Sequence, residues 1–426
     1  MKTFSAASTP NHSTQHTANI QQDKASATQW LNIIMLWLAG VYAAMQFAKF
    51  STTYDLLLTH YQSSATTISM ALSSVGIMGL IFGTIAGVLS GKIGHKNVLL
   101  TSLVLGSLLS FIQSFLPSIE YMLISRIFEG LSHLGVVVAA PTLMIAISEK
   151  RHQAICMGLW GTFFGVAFAL MGWFGQLLLD EGGLARLYQF HSVLITPIFI
   201  YLIFFLKTTD AIETSDQTNN ALKPNKAEAL SLFFNDLARL YQNPRTLLPG
   251  IVFLFHTCMF VALLTFIPRL SPDEGIKNQL YILLPIISIL GTFIAGVLAQ
   301  YYVTPQRLGT IAYLGVALFS GLTFLNIESS SLFFSFASCI LLFSGLVAGS
   351  AFAMIPHLAR SHDEQAKSNG AIAQLGNLGA TIGPPVFATG LAQFQSIGML
   401  WMILGLCLIG TTVTLYASRF RPLKIN

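Results

Sequence analysis

Three ionisable residues stand inside one apolar stretch of the chain. Residues 121–151 read YMLISRIFEGLSHLGVVVAAPTLMIAISEKR, long enough to cross a bilayer, and carry Arg126, Glu129 and His133. Their spacing, i, i+3 and i+7, puts all three on one face of a helix. A charge near mid-membrane costs about 2.5–3.5 kcal/mol on insertion scales, so this stripe is expected to turn from lipid toward a protected interior. Two opposing effects bear on Glu129: burial favours its neutral form and Arg126, one turn away, its charged form. A carboxylate that exchanges partners during a conformational change can carry a proton, whereas a static Arg126–Glu129 pair would only fix packing. His133 is suited either to relaying that proton or to donating one hydrogen bond.

A second stripe lies near the N-terminus, where Tyr42, Gln46 and Lys49 follow the i, i+4, i+7 spacing. Tyr and Gln can orient a polar ligand, and Lys can bind an anion. The alternative for Lys49, near the end of its apolar run, is an ammonium group snorkelling to the interface with Asp55 as partner. His256, beside Thr257, sits in a later apolar run, and Gln374 and Asn377 lie a turn apart in another. Each is suited to lining a polar cavity or to satisfying a neighbouring helix.

The elements that must position these residues are transmembrane helices. Of 426 residues, 54% are hydrophobic and only 9% charged, and the mean hydropathy is +0.67. Soluble domains carry about 25% charged residues, so the expected class is an all-α polytopic membrane protein. Apolar length predicts twelve spans, at approximately 30–50, 68–90, 97–117, 121–147, 153–178, 189–207, 247–267, 279–300, 308–326, 331–357, 370–391 and 396–417. With both ends inside, 17 Lys/Arg fall in cytoplasmic segments and three (Arg186, Arg269, Lys277) in outer loops, leaving Lys49 and Arg126 in the membrane. The positive-inside rule therefore places both termini in the cytoplasm. Residues 1–29, rich in Ser, Thr, Gln and Asn, read as a disordered tail, and 208–246 as a cytoplasmic linker whose 227–240 part has an amphipathic pattern. Bundles of six spans occupy 30–207 and 247–418, and 419–426 form a second tail. The net charge of +5 lies in membrane-flanking loops and is no nucleic-acid signature. The four cysteines lie in apolar runs without a CxxC, so neither a disulfide framework nor a metal site is expected.

The halves repeat. Residues 85–89, IAGVL, recur at 294–298; Phe128-x-Gly130-Leu131 with Pro141 recurs as Phe343-x-Gly345-Leu346 with Pro356; Gly158-x-x-Gly161-x-x-x-Gly165 recurs as Gly376-x-x-Gly379-x-x-x-Gly383. The offsets, 209, 215 and 218 residues, rise smoothly. A duplicated six-span unit is how many transporters are built, with the substrate site between the repeats. The turn after the second span, Gly87-Val88-Leu89-Ser90-Gly91-Lys92-Ile93-Gly94-His95-Lys96, resembles the loop motif of the major facilitator superfamily. Gly87, Lys92, Gly94 and Lys96 match it, while Gly91 stands where that family has an acid that helps latch helices. Arg126 with Gly130 resembles the family's R-x-x-x-G motif, whose Arg is associated with proton coupling. Gly161 and Gly165 resemble part of its antiporter motif G-x-x-x-G-P, and Gly379, Gly383 and Pro384 a fuller version, although small-xxx-small faces pack helices in any membrane protein.

The resemblance covers about residues 30–417 and implies two pseudo-symmetric six-helix bundles acting by alternating access, as a monomer in a cell membrane, with a bacterial inner membrane as the expected location. The expected partners are a small-molecule substrate and protons, without a cofactor. No Walker motif offers direct ATP coupling, and no HExxH or paired-Asp motif suggests an intramembrane enzyme. A non-transporting sensor would need an output domain. Lys49, Arg126, His133 and His256 against Glu129 make the polar interior lean positive, which favours an anionic or zwitterionic organic solute over a lipophilic cation. Export is favoured slightly over uptake on the glycine-rich fifth and eleventh spans.

Overall fold

The computed structural model describes residues 28–206 and 242–420. Almost all of the N-terminal tail, most of the linker with its 227–240 segment, and the last six residues lie outside the described residues. All regular elements among the described residues are helical. In the first half, α1 (Trp30–Thr52) is the first span, and a short α2 (Tyr54–Tyr61) leads to α3 (Ala65–Ser73) and α4 (Val75–Ile93), which together make the second. Then follow α5 (His95–Gln113), α6 (Ile119–Ala146), α7 (Gln153–Trp160), α8 (Phe163–Leu194) and α9 (Thr196–Phe205). The second half contains α10 (Pro244–Phe266), α11 (Glu274–Tyr301), α12 (Pro305–Leu325), α13 (Ser330–Leu358) and α14 (His362–Ala417).

Two apolar helical segments, Ile155–Phe205 and Lys367–Ala417, run to 51 residues each. A straight helix of that length would be roughly 75 Å long, against a hydrocarbon core of about 30 Å. Both fold back on themselves. Gly182 and Gly183 leave helical geometry, with φ +65° at Gly183, and a Cβ on Gly175 would lie 3.6 Å from Leu187 beyond the break. Gln395 turns the second segment with φ +52°, and Gly390 meets Gly398 and Met402 across it. With α3 and α4 as one bent span, the described residues come to twelve passes, consistent with the expected count.

The second span differs from the unbroken 68–90 helix expected. It bends by 47° at Ser74, where the Ser74 hydroxyl donates back to the Met70 carbonyl at 2.5 Å, a local bond that competes with the helical ladder. The fifth span is likewise interrupted, at Gly161–Thr162. The repeat is visible in packing: Gly130 lies against the Val75 carbonyl of α4, and its counterpart Gly345 against the Ser288 carbonyl of α11. A side chain at either glycine would push those backbones apart.

Two seams join the halves. Along α3–α4 and α14, Thr66 meets Thr389 (2.9 Å), Gly76 meets Thr381, Gly79 meets Asn377, and Gln374 donates to the Leu80 carbonyl at 3.2 Å. Along α8 and α11, Gly172 lies against Tyr281, and Gly165 against Pro285 and Ile289. Ser51 and Thr265, 2.8 Å apart, close the end where α1 and α10 finish, and Arg269 there bonds the Asp55 carboxylate (3.0 Å) and the Ser51 carbonyl (2.7 Å). Toward the face that carries residues 30, 206, 244 and 417 the seams part: Gly83, Gly87, Gly296 and Gly370 have no neighbour within 4 Å of where a Cβ would stand. The molecule is therefore closed at the face opposite its chain ends.

Candidate functional site: a buried ion cluster in the first half

Glu129 lies at the centre of the N-terminal bundle, 0% exposed, between two cations that are equally buried. Its Oε1 is 2.7 Å from Lys49 Nζ on α1, and its Oε2 is paired with Arg126 on its own helix. Arg126 spends its other donors on backbone. Nε reaches the Ala71 carbonyl at 2.8 Å, and Nη2 the carbonyls of Gln46 at 2.8 Å and Leu72 at 3.3 Å. Ala71 and Leu72 precede the bend at Ser74, where a helix end leaves carbonyls in need of donors. The guanidinium also lies 4.0 Å from the Phe50 ring centre. Lys49 completes its coordination with Ser110 Oγ at 2.8 Å and Gln113 Oε1 at 2.7 Å on α5. Gln113 turns its amide nitrogen to Glu129 Oε2 at 2.8 Å.

His191 on α8 closes the cluster. Its Nδ1 lies 2.7 Å from Ser110 Oγ, its Nε2 lies 3.2 Å from the Tyr42 carbonyl, and its ring stacks on Tyr42 at 4.4 Å. Sequence reading did not single out His191, Ser110 or Gln113. A lone His in an apolar span was available as a signal, the same one that drew attention to His256. The Ser and Gln carry no such mark, because either serves ordinary helix packing.

The two sequence stripes meet here. Glu129 contacts both Arg126 and Lys49, so Lys49 is inside the bundle and bonded to Glu129, not at the interface with Asp55, which pairs with Arg269 and Lys277. Gln46 donates to Ser132 at 3.0 Å. The hydroxyl of Tyr42 and Oε1 of Gln46 are buried without a hydrogen-bond partner. His133 stands beside the cluster, with Nδ1 3.1 Å from the Ala43 carbonyl and its ring edge-on to Phe47. His256 belongs to the other half, where it meets Ser344 at 3.2 Å between Phe253 and Phe260. The 215-residue offset pairs Ser344 with Glu129, so the second bundle has a neutral contact where the first has its ions. Gln374 and Asn377, both half-buried, lie on the α4–α14 seam.

The loop motif caps and turns. Gly94 adopts φ +94° between α4 and α5, a conformation that favours glycine. Lys96 donates to the Leu206 and Ile203 carbonyls at 2.5 and 3.1 Å, capping the end of α9. Lys92 is exposed and Gly91 half-buried, while Ser90 contacts His95 at 2.7 Å. Gly379 and Gly383 lie against the α10 backbone at Leu254 and Cys258, with Pro384 following inside α14, whereas Gly161 meets only carbonyls of its own helix. Among the described residues no group of three or more His, Cys, Asp or Glu could hold a metal ion.

Comparison with known proteins agrees with this architecture. Residues 36–384 match the Major Facilitator Superfamily. The inner membrane metabolite transport protein YgcS of Escherichia coli (strain K12) is 27% identical over 30% of this chain and 29% of its own length. The class H tetracycline resistance protein of Pasteurella multocida is 24% identical over 48% of this chain and 51% of its own. The chain spans about a third of the length of the curated relatives first matched. A bacterial homologue of the human lysosomal transporter Spinster, crystallised inward-facing and unoccupied, superposes with a TM-score of 0.69 at 12% identity, covering 92% of this chain and 97% of that one. That likeness is one of fold. Matched over most of its length and folded as a bundle of long apolar helices, this chain belongs to the Major Facilitator Superfamily, a family of transporters rather than enzymes.

Proposed function

We propose that this protein is a proton-coupled secondary transporter that exports a small anionic or zwitterionic organic solute by alternating access. The observation that carries the reading is the Lys49–Glu129–Arg126 cluster: three ionisable groups with no solvent exposure, held by helices that must move relative to the other half. Intramembrane ionisable groups mark ion and proton paths by default. Glu129 and Arg126 are the coupling pair in this reading, with His133 beside them. Tyr42, Gln46, Lys49, His256, Gln374 and Asn377 supply the polar solute contacts, and the Gly87–Lys96 turn gates the face that carries the chain ends. The seams that close at one face and part at the other support a rocking cycle. The excess of basic residues on the chain-end side supports a cytoplasmic opening.

The solute class follows from charge. Glu129 is the only buried carboxylate among the described residues, against two buried cations. Export is favoured by the glycine-rich fifth and eleventh spans and by likeness to a tetracycline resistance protein. The test is solute-evoked proton flux into proteoliposomes loaded with a pH dye, with nicotinate, benzoate, glycine betaine and tetraphenylphosphonium as probes. The expected result is a response to the anions or the zwitterion that Glu129→Gln abolishes while solute exchange continues. A response to tetraphenylphosphonium alone would replace the anion reading with cation efflux. Solute movement without proton flux would overturn the coupling.

A further inference from the structure

The contact that shuts the face opposite the chain ends joins one carboxylate to two cations from the other half. Asp55, at the start of α2, turns Oδ1 to Arg269 Nε at 3.0 Å and Oδ2 to Lys277 Nζ at 4.0 Å. Arg269 Nη2 donates to the Ser51 carbonyl of α1 at 2.7 Å, while Nη1 bonds the Thr265 carbonyl at the end of its own α10. Nε and Nη2 lie on the same edge of the planar guanidinium, and both serve acceptors from the first half. Nη1, which ties the group to its own helix, does not.

Opening of this face withdraws Asp55 and Ser51 together and leaves that edge bare. Two parallel N–H groups match the two oxygens of a carboxylate, and such bidentate pairs are stronger and more selective than a point-charge contact. Among the described residues, neither nearby acid of the second half pairs with Arg269. Asp273 accepts from the Ile276 backbone at 3.1 Å, and Glu274 holds Lys277 at 3.1 Å. The Tyr281 hydroxyl, one turn beyond Lys277 on α11, is buried without a hydrogen-bond partner among the described residues, and its ring centre lies 5.4 Å from the guanidinium carbon. The Arg269 side chain is only 9% exposed with the face shut, so solvent ions screen it little. Arg269, Lys277 and Tyr281 all travel with the second half.

We propose, resting on the anion-export reading above, that Arg269, Lys277 and Tyr281 form an exit site for the carboxylate of the departing solute, a site that Asp55 fills whenever this face is shut. The ligand is a carboxylate because the partner that withdraws is one. In the open state the solute anion pairs side-on with Nε and Nη2 of Arg269, with Lys277 at its flank. On closing, Asp55 and the Ser51 carbonyl return to the same donors and the solute anion is released outward. One carboxylate replaces another, so the charge of the site is unchanged and no covalent bond is made or broken.

The probe is benzoate, added outside right-side-out membrane vesicles that hold the full chain, with benzamide as the neutral isostere at equal ionic strength. The readout is the rate at which a membrane-impermeant thiol reagent labels Ser51→Cys, on the half opposite the site, corrected for labelling of the native cysteines. A ligand that binds only the open state raises the open-to-closed ratio by one plus its concentration over Kd. Benzoate at about ten times its Kd should therefore speed labelling roughly tenfold, and benzamide should not. Arg269→Lys, which keeps the charge and loses the two-donor edge, should abolish the acceleration, and Lys277→Gln should raise the benzoate concentration needed. Asp55→Asn, which removes the competitor, should label faster without benzoate and need less of it. Each comparison is a ratio within one variant, so a lower yield of folded protein does not mimic it. Equal acceleration by benzamide, or none by benzoate, would overturn the exit site. Acceleration retained in Arg269→Lys, as binding at the interior Lys49 would give, would overturn it too. The transport reading is scored separately by proton flux: flux without acceleration removes the exit site alone, and acceleration without flux keeps the site and removes coupled export.

Discussion

At the scale of single residues, Arg126 does two jobs. It neutralises Glu129, and it ties three backbone carbonyls from the first and second spans to the fourth. Removing one partner of a buried ion pair costs about 3–5 kcal/mol, because the remaining charge is stranded. Arg126→Ala is therefore expected to lower the thermal unfolding temperature in detergent more than Lys49→Ala, which leaves an intact Arg126–Glu129 pair. Arg126→Lys should recover little of the loss. An ammonium group on a flexible stem cannot reach Ala71, Leu72, Gln46 and Glu129 together as the planar guanidinium does. Equal melting temperatures for Arg126→Lys and wild type would show that the carbonyl contacts contribute nothing.

At the scale of elements, close helix approach depends on glycines that meet backbone. Gly383 lies against the Cys258 carbonyl of α10, where a carbonyl cannot step aside as a side-chain tip can. Overpacking of this kind costs about 1–3 kcal/mol, so Gly383→Ala should reduce the yield of folded protein and lower its melting temperature. Gly321, four residues before the end of α12, has nothing within 4 Å of the added carbon. There the substitution only restores helix propensity, by roughly 0.5–1 kcal/mol, and Gly321→Ala should melt at or above wild type. The pair of melts, run side by side, tests whether packing or propensity governs these spans.

For the molecule as a whole, the contacts that matter are those that must break in a rocking cycle. Ser51 and Thr265 approach within 2.8 Å across the closed end, beside the Arg269–Asp55 pair. A Ser51→Cys/Thr265→Cys double variant should cross-link under mild oxidation, and cross-linking should stop transport until a reductant is added. Transport that continues in the fully cross-linked protein would mean that this end does not open. Arg269 also lies 5.0 and 5.4 Å from the ring centres of Tyr54 and Tyr281, so it joins elements of both halves. Arg269→Ala should raise labelling of a cysteine at position 265 by a membrane-impermeant thiol reagent, as the population shifts toward opening at that face. Unchanged labelling would remove Arg269 from the closure.

Much of this was legible in the sequence, for identifiable reasons. Apolar length sets span number because every backbone polar group in lipid must be satisfied within a helix. The breaks in the two 51-residue segments, at Gly182–Gly183 and Gln395, fall in the intervals left between the expected spans. Helical spacing alone placed Arg126 with Glu129, and Tyr42, Gln46 and Lys49 on one stripe. What spacing could not decide was that the stripes face each other. Lys49 and Glu129 are 80 residues apart, and only the packing of α1 against α6 turns two ambiguous side chains into an ion pair. The same holds for His191, whose partners come from α1 and α5. The bend at Ser74 and the closure at Ser51, Thr265 and Arg269 are likewise tertiary. Local composition determined that this chain is built of long apolar helices and which ionisable residues cannot face lipid. Which of them meet, and at which face the halves are shut, was decided by contacts between helices distant in sequence, where periodicity carries no information.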